Sequence, residues 1–202
     1  MFFSFEGIDG SGKSTQARLL ADALRERGYD VVEVREPGGT DLGERIRALL
    51  LDPEAEIGGR AELLLFSAAR AQLVADVIQP AIARGAVVVA DRFHDSATAY
   101  QGAGRGLADR SWLDALHQFA TVDTLPGRTY FVDVALETAA TRRENRVHDR
   151  MEQGGDSYFE RIRDAYREIV AAEPERVCHL DGHASIEDLH TTVLADALHH
   201  LG

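Results

Sequence analysis

The sequence predicts one α/β domain in which helices cover both faces of a mainly parallel sheet. Its 202 residues are an ordinary length for a single domain. Segments with the pattern of short strands alternate with segments that have the apolar period of helices. One strand, residues 86–90, is apolar throughout, which is typical of a parallel strand buried on both faces. Strands separated by helices imply crossover connections and therefore a parallel arrangement.

These elements fill residues 1–202 without a linker or an internal repeat, so one domain is expected. Strands are predicted at residues 2–6, 31–34, 86–90, 129–134 and 177–180. Helices are predicted at residues 14–27, 43–51, 61–84, 111–120, 136–146, 158–172 and 186–201. The third of these helices has Pro80 as a point at which it could bend.

The composition favours a soluble, cytoplasmic protein. Hydrophobic residues make up 45% of the chain and charged residues 28%, which is enough apolar material for a core. No apolar stretch approaches the ~20 residues of a membrane helix, and the first residues lack the basic region of a signal peptide. Cys178, the one cysteine, has no partner for an internal disulfide, and no Cys/His cluster has zinc-ligand spacing. The net charge of −12 argues against a protein that coats nucleic acid.

Residues 7–14, GIDGSGKS, match the G-x-x-x-x-G-K-[ST] pattern of a phosphate-binding P-loop. Glycines allow consecutive backbone N–H groups to face a phosphate, and the helix that follows adds the positive end of its dipole. Lys13 would supply a positive charge to the β- and γ-phosphates, and the Ser14 hydroxyl is suited to Mg²⁺. The alternative is a flexible glycine turn with a solvated lysine. The predicted strand before the motif and the helix after it favour the P-loop.

Lys13 also narrows the class of nucleotide. Of the 22 Lys and Arg residues in the chain, it alone is a lysine. A GTPase needs an Asn-Lys-x-Asp segment after a later strand to read guanine, and no second lysine exists for such a segment. The sequence therefore favours ATP, or a loosely selected nucleoside triphosphate, as the ligand of the loop.

Two polar segments follow strands at the carboxyl edge of the predicted sheet, where ligands collect in open parallel sheets. Asp91 and Arg92 follow the strand at residues 86–90. There Asp91 could hold Mg²⁺, directly or through water, and Arg92 could reach a phosphate; a surface ion pair between the two is the alternative. Residues 35–40, REPGGT, follow another strand and either belong to the same site or form a turn with flanking charges.

Phe66 and Arg70 lie four residues apart, on one face of a predicted helix. There the ring could stack on a base and the guanidinium could bind a phosphate. The alternative for Phe66 is an ordinary position in the core.

Four arginines precede a glycine-bearing stretch: Arg142, Arg143, Arg146 and Arg150. The apolar period fails between residues 146 and 156, where a mobile loop is expected. One interpretation is a lid at approximately residues 142–156 that delivers arginines to a transferring phosphoryl group and excludes water. The other is a solvated helix face.

The ordered motifs of this chain resemble those of the bacterial thymidylate kinases, a family of P-loop nucleoside monophosphate kinases. The matching segments are FEGIDGSGKST at residues 5–15, REPGGT at 35–40, LFSAAR at 65–70, DRFHDS at 91–96, AYQG at 99–102, GRG at 104–106 and DRME at 149–152. They span nearly the whole chain. The resemblance implies the three-layer P-loop kinase fold, with a five-stranded, mainly parallel sheet and a short arginine-rich lid.

The resemblance also implies a transferase of dTTP biosynthesis, which phosphorylates dTMP to dTDP. ATP would be the phosphoryl donor and Mg²⁺ the cofactor. The protein would be a homodimer. The residues that bind ATP would be Gly7, Ile8, Asp9, Gly10, Ser11, Gly12, Lys13, Ser14 and Thr15. Ser14 and Asp91 would hold the metal. The catalytic residues would be Lys13, Arg92, Arg142, Arg146 and Arg150. Glycine at position 10 makes this chain similar to members whose catalytic arginine lies in the lid.

For dTMP, the resemblance implies a second set of residues: Asp9, Glu36, Pro37, Arg47, Phe66, Arg70, Arg92, Ser96, Tyr100 and Gln101. Phe66 would stack on thymine while Arg70 and Gln101 read its edge, with Ser96 nearby. The chain departs from the family pattern at Ala97, where a small polar residue or glycine is usual, and a contact to the base worth ~0.5–1.5 kcal/mol would be lost.

The remaining members of this set would bind the sugar and the phosphate. Arg47 and Arg92 would hold the phosphate in a pocket shaped by residues 36–37. Asp9 would reach the 3′-hydroxyl of the deoxyribose. Tyr100 would pack where a ribose 2′-hydroxyl would project, which favours deoxynucleotides.

Two other functions are compatible with part of the pattern. A kinase for another nucleotide or nucleoside would share the P-loop and the lid, but has no reason to carry the Glu-Pro-Gly-Gly and Tyr-Gln segments together. A regulatory module that binds ATP without transferring phosphate would leave the arginine cluster unexplained. Offering several acceptors to the protein distinguishes all three.

Overall fold

The five predicted strands form one parallel sheet, which confirms the predicted fold class. The structure is a computed structural model and describes residues 1–144 and 149–202. The strands are β1 Phe2–Glu6, β2 Val31–Arg35, β3 Val87–Asp91, β4 Arg128–Asp133 and β5 Val177–Asp181. Their order across the sheet is β2-β3-β1-β4-β5, and each neighbouring pair is parallel.

Helices connect the strands, and three of them begin at a side-chain cap. They are α1 Lys13–Glu26, α2 Asp41–Leu51, α3 Gly59–Leu73, α4 Gln79–Ala83, α5 His94–Ala97, α6 Arg110–Thr121, α7 Leu136–Arg143, α8 Asp156–Ala172 and α9 Ile186–Leu201. Thr40, Asp109 and Ser185 cap α2, α6 and α9, because each side-chain oxygen accepts a hydrogen bond from the N–H three residues on. Among the described residues, no helix is both long and apolar enough to cross a membrane.

Helices pack on both faces of the sheet. On one face, α1 and α9 cover the β1 side chains Phe3 and Phe5. On the other face, α8 packs around Phe131 of β4, and helical residues 73–81 pack around Val88 of β3. Successive side chains of a strand face opposite sides, so strands that are apolar throughout supply both layers of the core.

The predicted helix at residues 61–84 is divided before Pro80 rather than simply bent there. α3 passes into a π-helical segment, Val74–Ile78, and α4 follows with Pro80 in its first turn. Proline has no N–H to donate to the preceding turn, and a π-type turn accommodates the missing bond.

A helical stretch after β3 is absent from the predicted elements. It consists of α5 and a second π-helical segment, Thr98–Gly104. Glycines at the end of this stretch lower its helix propensity, which explains why it carries no clear pattern. The structure uses one of them for close packing, because a Cβ at Gly104 would lie 2.7 Å from the Tyr158 ring of α8.

Candidate active site

One cleft of about 530 Å³ opens at the carboxyl edge of the sheet, beside the ends of β1, β2 and β3. The predicted site residues that line it are Asp9, Gly10, Ser11, Gly12, Lys13, Ser14, Thr15, Glu36, Pro37, Arg47, Phe66, Arg70, Asp91, Arg92, Ser96, Tyr100, Gln101 and Arg142. Gly7, Ile8 and Arg150 are not in its lining, and Arg146 lies outside the described residues. The fold thus brings the P-loop and the residues expected to bind dTMP together in one cleft.

The loop between β1 and α1 is built on glycine conformations. Gly7, Gly10 and Gly12 have φ angles of 143°, 86° and 103°, a region that other residues rarely adopt. A Cβ at Gly10 would lie 2.6 Å from the carbonyl oxygen of Ala139. α1 begins at Lys13, directly after the loop, so its first N–H groups and its positive dipole end lie at the cleft. This arrangement is suited to an anion such as a phosphate.

Asp9 lies between two cations inside this loop. Its Oδ1 is 3.2 Å from Lys13 Nζ and 2.8 Å from Arg92 Nη2. Burial alone would raise the pKa of Asp9, but the two adjacent positive charges outweigh it and hold the pKa well below its ordinary value. Asp9 is therefore ionised at neutral pH and orients both cations.

Arg92 follows β3 in a strained conformation that its side chain helps to hold. Its φ of 71° is unusual for a residue with a Cβ. Nη1 donates to Ser96 Oγ at 3.0 Å and Nη2 donates to Tyr100 Oη at 3.1 Å. The guanidinium carbon also lies 5.0 Å from the centre of the Tyr100 ring. Strain of this kind persists where surrounding contacts maintain it, commonly at functional sites.

Glu6, the last residue of β1, forms hydrogen bonds to residues that surround Arg92. Its carboxylate accepts hydrogen bonds from the Phe93 N–H at 2.7 Å, the Ser96 hydroxyl at 2.6 Å and the Tyr166 hydroxyl at 2.8 Å. Burial raises the pKa of Glu6 to about 7. Sequence reasoning missed this role because a glutamate at the end of a strand carries no distinguishing pattern.

Arg70 forms a buried ion pair at the other end of the cleft. Its Nη2 lies 2.8 Å from Glu36 Oε2, and the two side chains are 1% and 4% exposed. Arg47 Nη1 donates to the Pro37 carbonyl at 2.9 Å. Phe66 lies on the same helix as Arg70 and lines the same cleft. The residues of α2, of α3 and of the segment after β2 that were expected to form one pocket therefore lie together.

Gln101 is bound to a carboxylate that the sequence did not indicate. Its Nε2 donates to Glu62 Oε1 at 2.8 Å, and Glu62 is fully buried. The same carboxylate pairs with Arg105 and Arg150. No spacing rule marks Glu62 or Arg105, because their partners are distant in sequence.

Asp91 has a buried acceptor that the described part of the chain leaves without a partner. Its Oδ1 is buried and accepts no hydrogen bond from the described residues, and its side chain lines the cleft together with Ser14. An unsatisfied buried acceptor costs free energy, which a bound cation would recover. Within the described ranges, no group of three or more His, Cys, Asp or Glu side chains could hold a metal. A hydroxyl and one carboxylate fit Mg²⁺ that takes its other ligands from phosphates and water.

The described arginines of the predicted lid make specific contacts, although Arg142 remains exposed. Arg142 lines the cleft; its Nη1 donates to the Ser11 carbonyl at 3.2 Å and its Nη2 to the Gly182 carbonyl at 3.1 Å. Arg150 Nη1 lies 2.7 Å from Glu62 Oε2. The contact of Arg150 with buried Glu62 argues against a simple solvated helix face at that position.

The cleft extends past the P-loop to the start of α9. Its lining there consists of Gly182, Ala184, Ile186 and Leu189. Small and apolar residues have no phosphate-binding pattern, so sequence reasoning missed this region. An apolar surface beside a phosphate loop is suited to a flat, weakly polar group attached to the phosphates.

Comparisons with known proteins agree with the motifs. Residues 5–193 match the model of the family described as thymidylate kinase. A thymidylate kinase of Fervidobacterium nodosum is 47% identical over 194 residues, which cover 96% of this chain and 96% of that protein. A thymidylate kinase of Kosmotoga olearia is 44% identical over 199 residues, covering 98% and 95%.

A solved structure extends the likeness to the fold. The crystal structure of thymidylate kinase from Ehrlichia chaffeensis matches this one with a TM-score of 0.81 and 35% identity, over 98% of each chain. The similarity therefore covers the P-loop, the cleft and the sheet together. On this evidence, the chain belongs to the thymidylate kinase family.

Proposed function

We propose that this protein phosphorylates dTMP to dTDP, with ATP as phosphoryl donor. The observation that carries the proposal is Arg92, which lies between the P-loop and the pocket of Phe66, Arg70 and Gln101 in one continuous cleft. A donor nucleotide on one side and an acceptor nucleotide on the other would bring their phosphates together at Arg92. Such positioning supplies much of the rate enhancement in phosphoryl transfer.

In the acceptor pocket, Phe66 would stack on thymine while Arg70 and Gln101 bind its edge, with Ser96 nearby. The buried pairing of Arg70 with Glu36 supports this, because it holds the guanidinium in one place before the base arrives. A preorganised donor loses little conformational entropy on binding.

The acceptor phosphate would bind Arg92 and Arg47, with residues 36–37 closing that side. Asp9 would bind the 3′-hydroxyl, and the Tyr100 ring would occupy the place of a ribose 2′-hydroxyl. The hydrogen bonds of Tyr100 to Arg92 and Asp9 keep the ring in position. The acceptor is already an anionic phosphate at neutral pH, so the reaction needs no strong general base.

The donor phosphates would bind residues 7–15. Their backbone N–H groups, the Lys13 ammonium and the α1 dipole all favour negative charge at this point. Mg²⁺, held by Ser14 and Asp91, would neutralise charge on the donor phosphates when bound. Lid arginines, Arg142 and Arg150 among them, would stabilise the transferring group, with the lid at approximately residues 142–156. Arg142 already lines the cleft, whereas Arg150 would have to leave Glu62 to reach that group. Arg146 is part of this proposal from the sequence alone.

We also propose that the protein is a homodimer that acts in the cytoplasm. Large apolar side chains are exposed on α3 and α6, namely Leu64 at 56%, Trp112 at 50% and Phe119 at 86%. These neighbouring helices are suited to bury against a second copy. Cys178 is free, as is usual in a reducing compartment where ATP is available. Sedimentation of the protein and of its Phe119→Glu variant tests the dimer. Equal masses for the two proteins would refute the proposal that this surface forms the dimer interface.

The reaction is tested by measuring ADP release from Mg·ATP with dTMP, dUMP, dCMP, UMP and AMP offered in turn. Lys13→Met and a sample without acceptor are the controls. Turnover with dTMP well above the other acceptors supports the proposal. Preference for another acceptor would retain the phosphoryl transfer but overturn the thymine assignment, and ATP binding without turnover would indicate a regulatory module.

A further inference from the structure

One buried carboxylate, that of Glu62 on α3, binds three side chains at once. Its Oε1 accepts from Gln101 Nε2 at 2.8 Å and from Arg105 Nε at 2.6 Å. Its Oε2 accepts from Arg105 Nη2 and Arg150 Nη1, each at 2.7 Å. Glu62 is 0% exposed, so these contacts are made without competition from water.

This arrangement determines which end of the Gln101 amide faces the cleft. A carboxylate paired with two guanidinium groups only accepts hydrogen bonds, so it binds the NH₂ end of the amide. Gln101 is 1% exposed and lines the cleft. Among the described residues its side chain bonds to Glu62 through Nε2, and its Oε1 accepts no hydrogen bond. Because amide oxygen and nitrogen diverge from one carbon, the oxygen is the group left for a ligand.

We propose that Glu62 determines the preference for thymine over cytosine, because it holds Gln101 with its amide oxygen toward the base. This inference rests on the proposed function and names the residue behind its selectivity. Thymine has an N3–H that donates to such an oxygen. Cytosine has a lone pair at N3, which would meet another acceptor, so its binding is disfavoured. Glu62 is a positioning residue in this scheme, since it acts through Gln101.

Glu62→Gln is the sharpest test, because two guanidinium N–H groups lie at Oε2 and only one at Oε1, so the oxygen of the new amide is favoured at Oε2 and Arg105 Nε loses its acceptor. The new amide nitrogen then replaces Oε1 and donates to Gln101, which turns the NH₂ of Gln101 toward the cleft. We expect the ratio of kcat/KM for dCMP to that for dTMP to rise about tenfold or more, with a matching shift in the ratio of binding constants. A ratio within twofold of the wild-type value in the folded variant would overturn the proposal.

Arg105→Met is the matched control. It removes two hydrogen bonds from the same carboxylate but leaves the contact between Glu62 and Gln101. We expect a loss of stability without a change in the ratio of dCMP to dTMP. If the ratio rises equally in both variants, general loosening of the pocket is responsible and the proposal is wrong.

A measurement on the wild type covers the case in which Glu62→Gln does not fold. In NMR spectra of ¹⁵N-labelled protein, the side-chain NH₂ of Gln101 should exchange slowly with solvent, both alone and with dTMP bound. Its signal is assigned by its loss in Gln101→Met. Exchange as fast as that of an exposed glutamine would contradict the proposed orientation.

Binding constants for dTMP and dCMP separate this inference from the proposed reaction. Selective binding of dTMP that Glu62→Gln relaxes, without turnover in either protein, would sustain the role of Glu62 and refute the kinase activity. Turnover of dTMP with unchanged selectivity in Glu62→Gln would support the kinase activity and refute the role of Glu62.

Discussion

Asp9 Oδ1 lies 2.8 Å from Arg92 Nη2 and thereby joins the P-loop to the residue that follows β3. The same oxygen lies 3.2 Å from Lys13 Nζ. A single carboxylate thus sets the distance between Lys13 and Arg92, the cations proposed to bind the donor and acceptor phosphates. The strained backbone of Arg92 and its bond to Tyr100 leave this geometry little freedom.

Replacement of Arg92 by methionine should reduce kcat/KM for dTMP about 10²–10³-fold. The variant keeps most of the side-chain volume but loses a charge placed where phosphates would meet. Steady-state assays with saturating Mg·ATP measure the effect, and circular dichroism verifies folding. Arg84→Met, which removes an exposed ion pair with Asp30, should be close to neutral. Turnover within a few-fold of the wild type would disprove this role of Arg92.

Asp91→Asn should raise the Mg²⁺ concentration needed for half-maximal activity about tenfold. Its Oδ1, which is buried and has no partner among the described residues, is the expected contact of the ion or of its bound water. Titration of Mg²⁺ at fixed ATP gives this concentration directly. Asp22→Asn, on the exposed face of α1, is the control. An unchanged Mg²⁺ dependence would indicate that Asp91 does not act through the metal.

Glu6→Gln should remove a pH-dependent part of the stability. The pKa of Glu6 is raised from 4.5 to about 7 by burial, so the folded protein keeps a proton that the unfolded chain releases between these values. The unfolding free energy contributed by Glu6 therefore falls as the pH rises from 4.5 to 7, by up to about 3 kcal/mol.

Urea denaturation of the wild type and of Glu6→Gln at several pH values measures this contribution as a difference. The pH-dependent contributions of groups present in both proteins, Asp9 among them, largely cancel in this difference. The wild type should lose stability relative to the variant as the pH rises to 7, and the difference should be constant above that. A difference that is flat from pH 4.5 to 7 would contradict the raised pKa.

Ala97→Ser should lower KM for dTMP about 2- to 10-fold. Ala97 lines the cleft beside Ser96, and a hydroxyl there would restore one hydrogen bond to the base. Ala97→Gly is the matched control, since it alters volume without adding a polar group. A higher KM in Ala97→Ser would mean that the hydroxyl stays unpaired against Leu63 and Leu113, which pack on this residue.

The sequence by itself determined the sheet and the phosphate loop. Alternating strand and helix patterns are local, and they predicted the five parallel strands with ends displaced by no more than one residue. The P-loop is also local, because its glycines, Lys13 and Ser14 are consecutive. The position of Asp91 and Arg92 followed from a general rule, that the carboxyl ends of parallel strands share one edge.

Tertiary structure alone decided how these groups are held. Glu6 meets Tyr166 across 160 residues of chain, and Glu62 meets Gln101 across 39. Such contacts depend on the angles at which helices cross the sheet, and no periodic pattern in the sequence encodes them. A buried carboxylate also looks like any other acidic residue until its partners are known. For that reason, the residues predicted to contact nucleotides came from motifs, whereas the residues that orient them emerged only from packing.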